Sequence, residues 1–118
     1  MALKSYKDLV VWQKSYRLVL EIYNITKLFP KDELYALTQQ MRRAAVSIPS
    51  NIAEGYARGH RPEYIQFLSI AFGSTAELET LLLIGKDLDY LVKEDFEKCR
   101  FLLEEVMKML SKLISSLK

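Results

Sequence analysis

Apolar residues recur at alternating spacings of three and four along most of the 118-residue chain, which is the pattern of amphipathic α-helices. The pattern is broken near Phe29-Pro30, at Gly59 and around residues 91–93, so it predicts four helices of about 25 residues each. Links of only a few residues make each helix run back along the one before it. We therefore predict an all-α, up-and-down antiparallel four-helix bundle.

Local signals mark the expected ends of these helices. The first helix runs from about residue 5 to Phe29, because proline disfavours helical geometry in the residue before it. Asp32 is the expected N-cap of the second helix. Gly59 is expected to end that helix, and Pro62 to lie in the first turn of the third. A chain of this length has room for one core, so we predict a single domain over residues 1–118.

The first helix carries two apolar stripes, which is more than a bundle helix with one face in water needs. The stripe predicted to face the core contains Leu9, Trp12, Tyr16, Val19, Tyr23 and Thr26. The second stripe contains Val11, Leu18, Ile22, Ile25 and Phe29. Either both stripes are buried within one chain, or the second one meets another subunit. We expect the second stripe to form the interface of a homo-oligomer.

The second helix carries a polar stripe opposite its apolar one, and Pro49 lies within the helix. The stripe contains Gln40, Arg43, Ser47, Asn51, Glu54 and Arg58. In a structural interpretation, Ser47 and Asn51 serve the backbone around Pro49. Arg43 and Glu54 then form ion pairs across helices or subunits.

In a functional interpretation, basic residues of the first two helices and of the following turn bind phosphates. This surface contains Lys14, Arg17, Arg42, Arg43, Arg58 and Arg61. No Phe, Trp or Tyr adjoins Arg42, Arg43, Arg58 or Arg61 in the sequence, whereas a binder of single strands typically interleaves aromatic and basic residues. The formal net charge of +2 is too small to indicate a partner, but residues 1–31 carry +4 and residues 61–92 carry −3.

The residue types needed for common catalytic and metal sites are scarce in this chain. His60 is the one histidine and Cys99 the one cysteine, which leaves too few ligands for a zinc or di-iron site. The sequence has no phosphate-binding glycine loop. We therefore expect no catalytic residues, no metal, no cofactor and no small-molecule substrate, and thus a protein that is not an enzyme.

The expected compartment follows from the same composition. One cysteine cannot form an internal disulfide, which suits a reducing environment. The first eight residues contain no apolar stretch of a signal peptide, and no uninterrupted apolar run approaches the roughly 20 residues that span a bilayer. We expect a cytoplasmic protein with no membrane partner.

Three stretches of the sequence resemble the signatures of one bacterial family. They are Asp8-Leu9-Val10-Val11-Trp12-Gln13-Lys14, the block from Gln40 to Gly55 (QMRRAAVSIPSNIAEG), and Phe67-Leu68-Ser69-Ile70-Ala71-Phe72-Gly73-Ser74. The family is that of four-helix-bundle proteins encoded in intervening sequences of large-subunit ribosomal RNA genes. The resemblance covers most of the chain and implies a left-handed bundle that assembles as a ring, a homopentamer. It implies no established activity.

Two hypotheses for function follow. In the first, the protein is a homo-oligomer associated with nucleic acid, RNA or DNA with a preference for structured RNA, and the basic surface contacts phosphates. The basic first helix and the genomic setting of the family motivate it. In the second, the ring is a protein-interaction scaffold without nucleic-acid binding, and the arginines are members of structural ion pairs. Replacement of Arg43 by alanine would then dissociate or destabilise the oligomer.

Overall fold

The computed structural model describes residues 5–118, and within this range the chain forms four α-helices and two short 3-10 helices. The α-helices are α1 (Val10–Thr26), α2 (Leu37–Arg58), α3 (Arg61–Asp87) and α4 (Lys93–Leu117). The 3-10 helices are Tyr6–Asp8 and Lys31–Glu33. Residues 1–4, which the predicted domain and the expectation of no signal peptide include, lie outside the described residues. The predicted all-α class with four helices is confirmed.

Each α-helix packs against two neighbours, in the cyclic order α1, α2, α3, α4. Contacts between neighbours pair a residue early in one helix with a residue late in the next, so the neighbours are antiparallel. Lys14 thus pairs with Glu105 and Glu21 with Lys98 between α1 and α4. Ser47 contacts Ser74 and Arg58 contacts Glu63 between α2 and α3. The described residues therefore have the up-and-down antiparallel arrangement of a four-helix bundle.

The stripe predicted to form the oligomer interface is buried in the bundle core, with four members on α1 and Phe29 just after it, so that prediction was wrong. All five members are at most 6% exposed within the single chain: Val11, Leu18, Ile22, Ile25 and Phe29. In the stripe predicted to be core, Tyr16 and Tyr23 are instead exposed. The stripe with Leu18 and Ile22 is buried because its side chains have no polar atom to satisfy, whereas the tyrosines keep their hydroxyls in water.

The connection between the first two helices is longer than the sequence predicts. α1 ends at Thr26, and α2 begins only at Leu37. Asp32 is therefore not the N-cap of α2. Glu33 serves the start of this helix instead, because its carboxylate accepts a hydrogen bond from the Leu37 amide (3.3 Å) as well as one from the Tyr90 hydroxyl (2.8 Å).

The connection between α2 and α3 agrees with the prediction. Gly59 ends α2 with a φ of 75°, in the left-handed region that glycine adopts without a steric penalty. Pro62 lies in the first turn of α3, where its missing amide hydrogen costs no helical bond. Two residues thus suffice to reverse the chain, and α2 and α3 remain in contact along their length.

Among the described residues, α3 is the one helix that is long and apolar enough to cross a membrane. An 18-residue window within it has a mean hydropathy of 1.5, and 39% of that window is buried. Its position between α2 and α4 accounts for the buried part of this apolar character, because it contributes side chains to the core on both sides. The predicted absence of a membrane partner stays a prediction.

Cys99 lies in the core on α4, and burial raises the pKa of its thiol from 9.0 to about 12, with the carboxylates of Glu21 and Asp95 adding repulsion. The thiolate is the reactive form of cysteine. We expect Cys99 in the folded protein to react with a disulfide reagent at pH 8 at least about 100-fold more slowly than in concentrated guanidinium chloride. Absorbance of the released thiolate measures both rates. Equal rates would contradict the buried position of Cys99.

Candidate functional site

A groove of about 570 Å³ lies at the seam between α1 and α2, near the link that joins them. It lies on the outside of the bundle, and both helices and the residues just before α2 contribute to it. We call it the Arg–Tyr groove, and it is lined by Tyr23, Leu34, Tyr35, Thr38, Gln39, Arg42, Arg43, Val46 and Ser47. None of these lining residues is acidic, so the groove has a positive charge.

Arg42 is held in place within this groove by two contacts with α1. Its guanidinium carbon lies 4.6 Å from the centre of the Tyr23 ring, which is the geometry of a cation–π interaction. Its Nε donates a hydrogen bond of 2.9 Å to Oγ1 of Thr26. Oγ1 of Thr26 in turn donates to the carbonyl of Ile22 (2.6 Å). Arg42 is thus oriented before any ligand arrives, and no carboxylate of residues 5–118 forms an ion pair with it.

Arg43 lies one residue further along α2 and is exposed. In the part of the chain that the structure describes, its side chain makes no hydrogen bond or ion pair. It also borders a second, more polar cavity of about 380 Å³ between α2 and α3, where Glu77 is the one acidic lining residue. A guanidinium in this state has all its donors available for a ligand.

Tyr35 lies at the edge of the groove and is 85% exposed. Tyr23 also lines the groove, so two aromatic rings lie beside Arg42 and Arg43. This combination is not evident from the sequence, because Tyr23 and Tyr35 are separated from Arg42 and Arg43 along the chain and come together only on folding. One feature of the sequence could have indicated it. Tyr23 and Tyr35 lie on either side of the break near Pro30, and a reversal of the chain at that break brings the two tyrosines together.

Two members of the predicted polar stripe form a hydrogen-bond network between α2 and α3. The Asn51 amide donates to the carbonyl (2.8 Å) and the hydroxyl (2.9 Å) of Ser47. The hydroxyls of Ser47 and Ser74 are 2.8 Å apart, and Ser74 donates to the carbonyl of Ile70 (3.2 Å). Ser47 is therefore the donor to Ser74. The network lies on the α3 side of Pro49 and does not include Arg43 or Glu54.

The structure does not gather the six predicted phosphate contacts into one surface. Lys14 pairs with Glu105 on the α1–α4 side (3.2 Å). Arg58 lies at the far end of α2, fifteen residues and roughly 22 Å beyond Arg43. It pairs with Glu54 (2.9 Å) and Glu63 (3.1 Å), and these hydrogen bonds raise the pKa of its guanidinium.

The remaining predicted contacts lie away from the groove. Arg61 is exposed in the first turn of α3, at the same end as Arg58, and Arg17 is exposed on the outer face of α1. Of the six residues, only Arg42 and Arg43 line the same cavity. Neither forms an ion pair within the described part of the chain, whereas Lys14 and Arg58 are paired with carboxylates.

The structure also separates the two residues that a nucleophilic site would need. His60 is in the exposed turn between α2 and α3, whereas Cys99 is buried on α4 near the other end of the bundle. Within residues 5–118, no group of three or more His, Cys, Asp or Glu side chains is placed to hold a metal ion.

Comparison with known proteins shows one family and one fold. The family model described as "23S rRNA-intervening sequence protein" matches residues 7–112. The chain is also similar to the crystal structure of a protein of unknown function from the S23 ribosomal protein family of Bacteroides thetaiotaomicron. The two share 28% sequence identity and a TM-score of 0.82 over 89% of this chain and 98% of that one. No curated protein sequence matches the chain.

Proposed function

Because the chain belongs to the 23S rRNA-intervening sequence protein family, we propose that it is a non-enzymatic, homo-oligomeric protein that associates with RNA through the Arg–Tyr groove. The family's description names 23S rRNA and no catalytic activity. The observation that carries the proposal is the acid-free lining of the groove, with Arg42 oriented and Arg43 not paired with any described residue. Unneutralised arginines at a concave surface are suited to phosphate groups.

The exposed apolar side chains of α1 and α3 support the homo-oligomer. Tyr16 and Leu20 are exposed on α1, and Ile70 and Ile84 on α3. Because α1 and α3 lie on opposite sides of α2, two different faces of one subunit are available. Contact between unlike faces of successive subunits closes into a ring when the rotation is suitable. The left-handed bundle and the homopentamer implied by the family resemblance stay predictions, as does the cytoplasmic location.

The oligomer proposal is tested with Leu20→Glu, which places a charge in the proposed contact. Leu20 is 54% exposed, so the substitution leaves the core of the subunit intact. We expect sedimentation velocity to show an oligomer for the wild type and a monomer for the variant, with unchanged helical circular dichroism. A wild type that sediments as a monomer at micromolar concentration would end the proposal of a ring.

RNA binding is tested by titrating a fluorescein-labelled fragment of structured ribosomal RNA with the protein at several salt concentrations. We expect the affinity to fall steeply with salt, because counterions are released from the RNA. Arg43→Ala is expected to weaken binding and to reduce the slope of log affinity against log salt by about one. Arg58→Ala is the matched control from the same helix, and a smaller effect is expected because Glu54 and Glu63 already compensate its charge.

The outcomes separate the proposed function from the scaffold hypothesis. If no RNA binds even at low salt, the RNA proposal fails. If Arg43→Ala dissociates the oligomer, Arg43 belongs to a subunit contact and the scaffold hypothesis is favoured. Weakened RNA binding by an intact oligomer supports the proposal.

A further inference from the structure

We infer that the Arg–Tyr groove binds an unpaired nucleotide of single-stranded RNA, with the base stacked on Tyr35 and the phosphate bound by Arg43. The inference rests on the proposed function and adds selectivity to it. It differs from the preference for structured RNA expected from the sequence.

The size and shape of the groove favour a nucleotide over a duplex. At about 570 Å³ it falls in the range of cavities that enclose small ligands. An A-form duplex keeps its bases stacked inside and presents a broad outer surface, which a groove of this size does not admit. A flexible single strand can turn one base out of its stack and place it in the groove.

The tyrosines supply the surface on which a base stacks. Tyr35 is 85% exposed, which leaves its ring accessible at the edge of the groove. Arg42 lies over one face of the Tyr23 ring, with its guanidinium carbon 4.6 Å from the ring centre, and both groups line the groove together with Tyr35. Aromatic rings and arginine planes are the groups on which proteins stack unpaired bases, with little dependence on base identity.

The polar residues of the groove match the rest of a nucleotide. Arg43 has no partner among the described residues and projects from the same stretch of α2 as Arg42, so a phosphate beside the stacked base can be bound by a free guanidinium. Gln39 is exposed in the lining, and its amide can both donate to and accept from a base edge or a ribose hydroxyl. The absence of acidic lining residues favours this anionic ligand over a basic peptide.

The experiment compares a fluorescein-labelled ten-nucleotide oligouridylate with a blunt-ended RNA duplex of equal length, by fluorescence anisotropy at low salt. We expect the wild type to bind the single strand at least about tenfold more tightly than the duplex. Tyr35→Ala should weaken single-strand binding by about tenfold and leave duplex binding unchanged. Tyr35→Phe keeps the ring and is the matched control, with an affinity within about twofold of the wild type.

The outcomes distinguish this inference from the proposed function. Equal binding of single strand and duplex, with no effect of Tyr35→Ala, would overturn the inference and leave RNA association standing. Binding of neither RNA would overturn both. Sedimentation of the Tyr35→Ala variant completes the test. If the variant dissociates while its helical circular dichroism is retained, the groove is a subunit contact and the inference is wrong.

Discussion

Leu18→Ala is expected to lower the free energy of unfolding by about 3–4 kcal/mol, because Leu18 is 0% exposed and its removal leaves a cavity in the core of the bundle. For a chain of this size, the midpoint of thermal unfolding should fall by about 10 °C or more. Urea denaturation followed by circular dichroism measures the change. The loss should be the same at low and high protein concentration, because the leucine packs within one subunit.

Leu20→Ala is the matched control, since it makes the same substitution two residues further along α1 at a position that is 54% exposed. It is expected to change the free energy of unfolding of the separated subunit by less than about 0.5 kcal/mol. Its effect should appear in the oligomer, whose dissociation constant rises. If Leu18→Ala dissociated the oligomer without destabilising the subunit, the interface predicted from the sequence would be right and the burial of that stripe wrong.

Gly55→Ala is expected to lower the free energy of unfolding by about 2 kcal/mol. A Cβ atom at Gly55 would lie 2.7 Å from Cβ of Phe67 and 3.2 Å from Cδ1 of Tyr64. Cβ of Phe67 is attached directly to the backbone of α3, so rotation of the side chain cannot relieve the contact and the two helices must move apart. The cost of this overpacking exceeds the roughly 1 kcal/mol that alanine gains over glycine in a helix.

Gly73→Ala, on α3, is expected to change the free energy of unfolding in the opposite direction. Gly73 lies within α3, and no heavy atom of the described neighbours is within 4 Å of an added Cβ. We expect a gain of about 0.5–1 kcal/mol, because alanine has the better helix propensity and restricts the unfolded chain. A chemical denaturation curve for each variant gives both values. Equal destabilisation by the two substitutions would contradict the close approach of α2 and α3 at Gly55.

The sequence by itself determined the number of helices, their class and two of their ends. Periodic apolar positions fix which segments can bury a face, and this property is local to each segment. Gly59 and Pro62 determined the tight turn between α2 and α3, because each acts through its own backbone geometry. The family was also evident from short stretches of sequence, in particular the block around Pro49.

The tertiary structure decided which face of α1 is buried and which residues share a site. Two apolar stripes on α1 are nearly equivalent when the helix is considered alone, and only the positions of α2 and α4 select the stripe with Leu18 and Ile22. Carboxylates on neighbouring helices form ion pairs with Arg58 and Lys14, so these two residues do not belong to the candidate site. Tyr23 and Tyr35 line the same groove as Arg42 and Arg43 because the chain reverses its direction between α1 and α2. Contacts between helices depend on packing in three dimensions, which the spacing of residues along one helix does not encode.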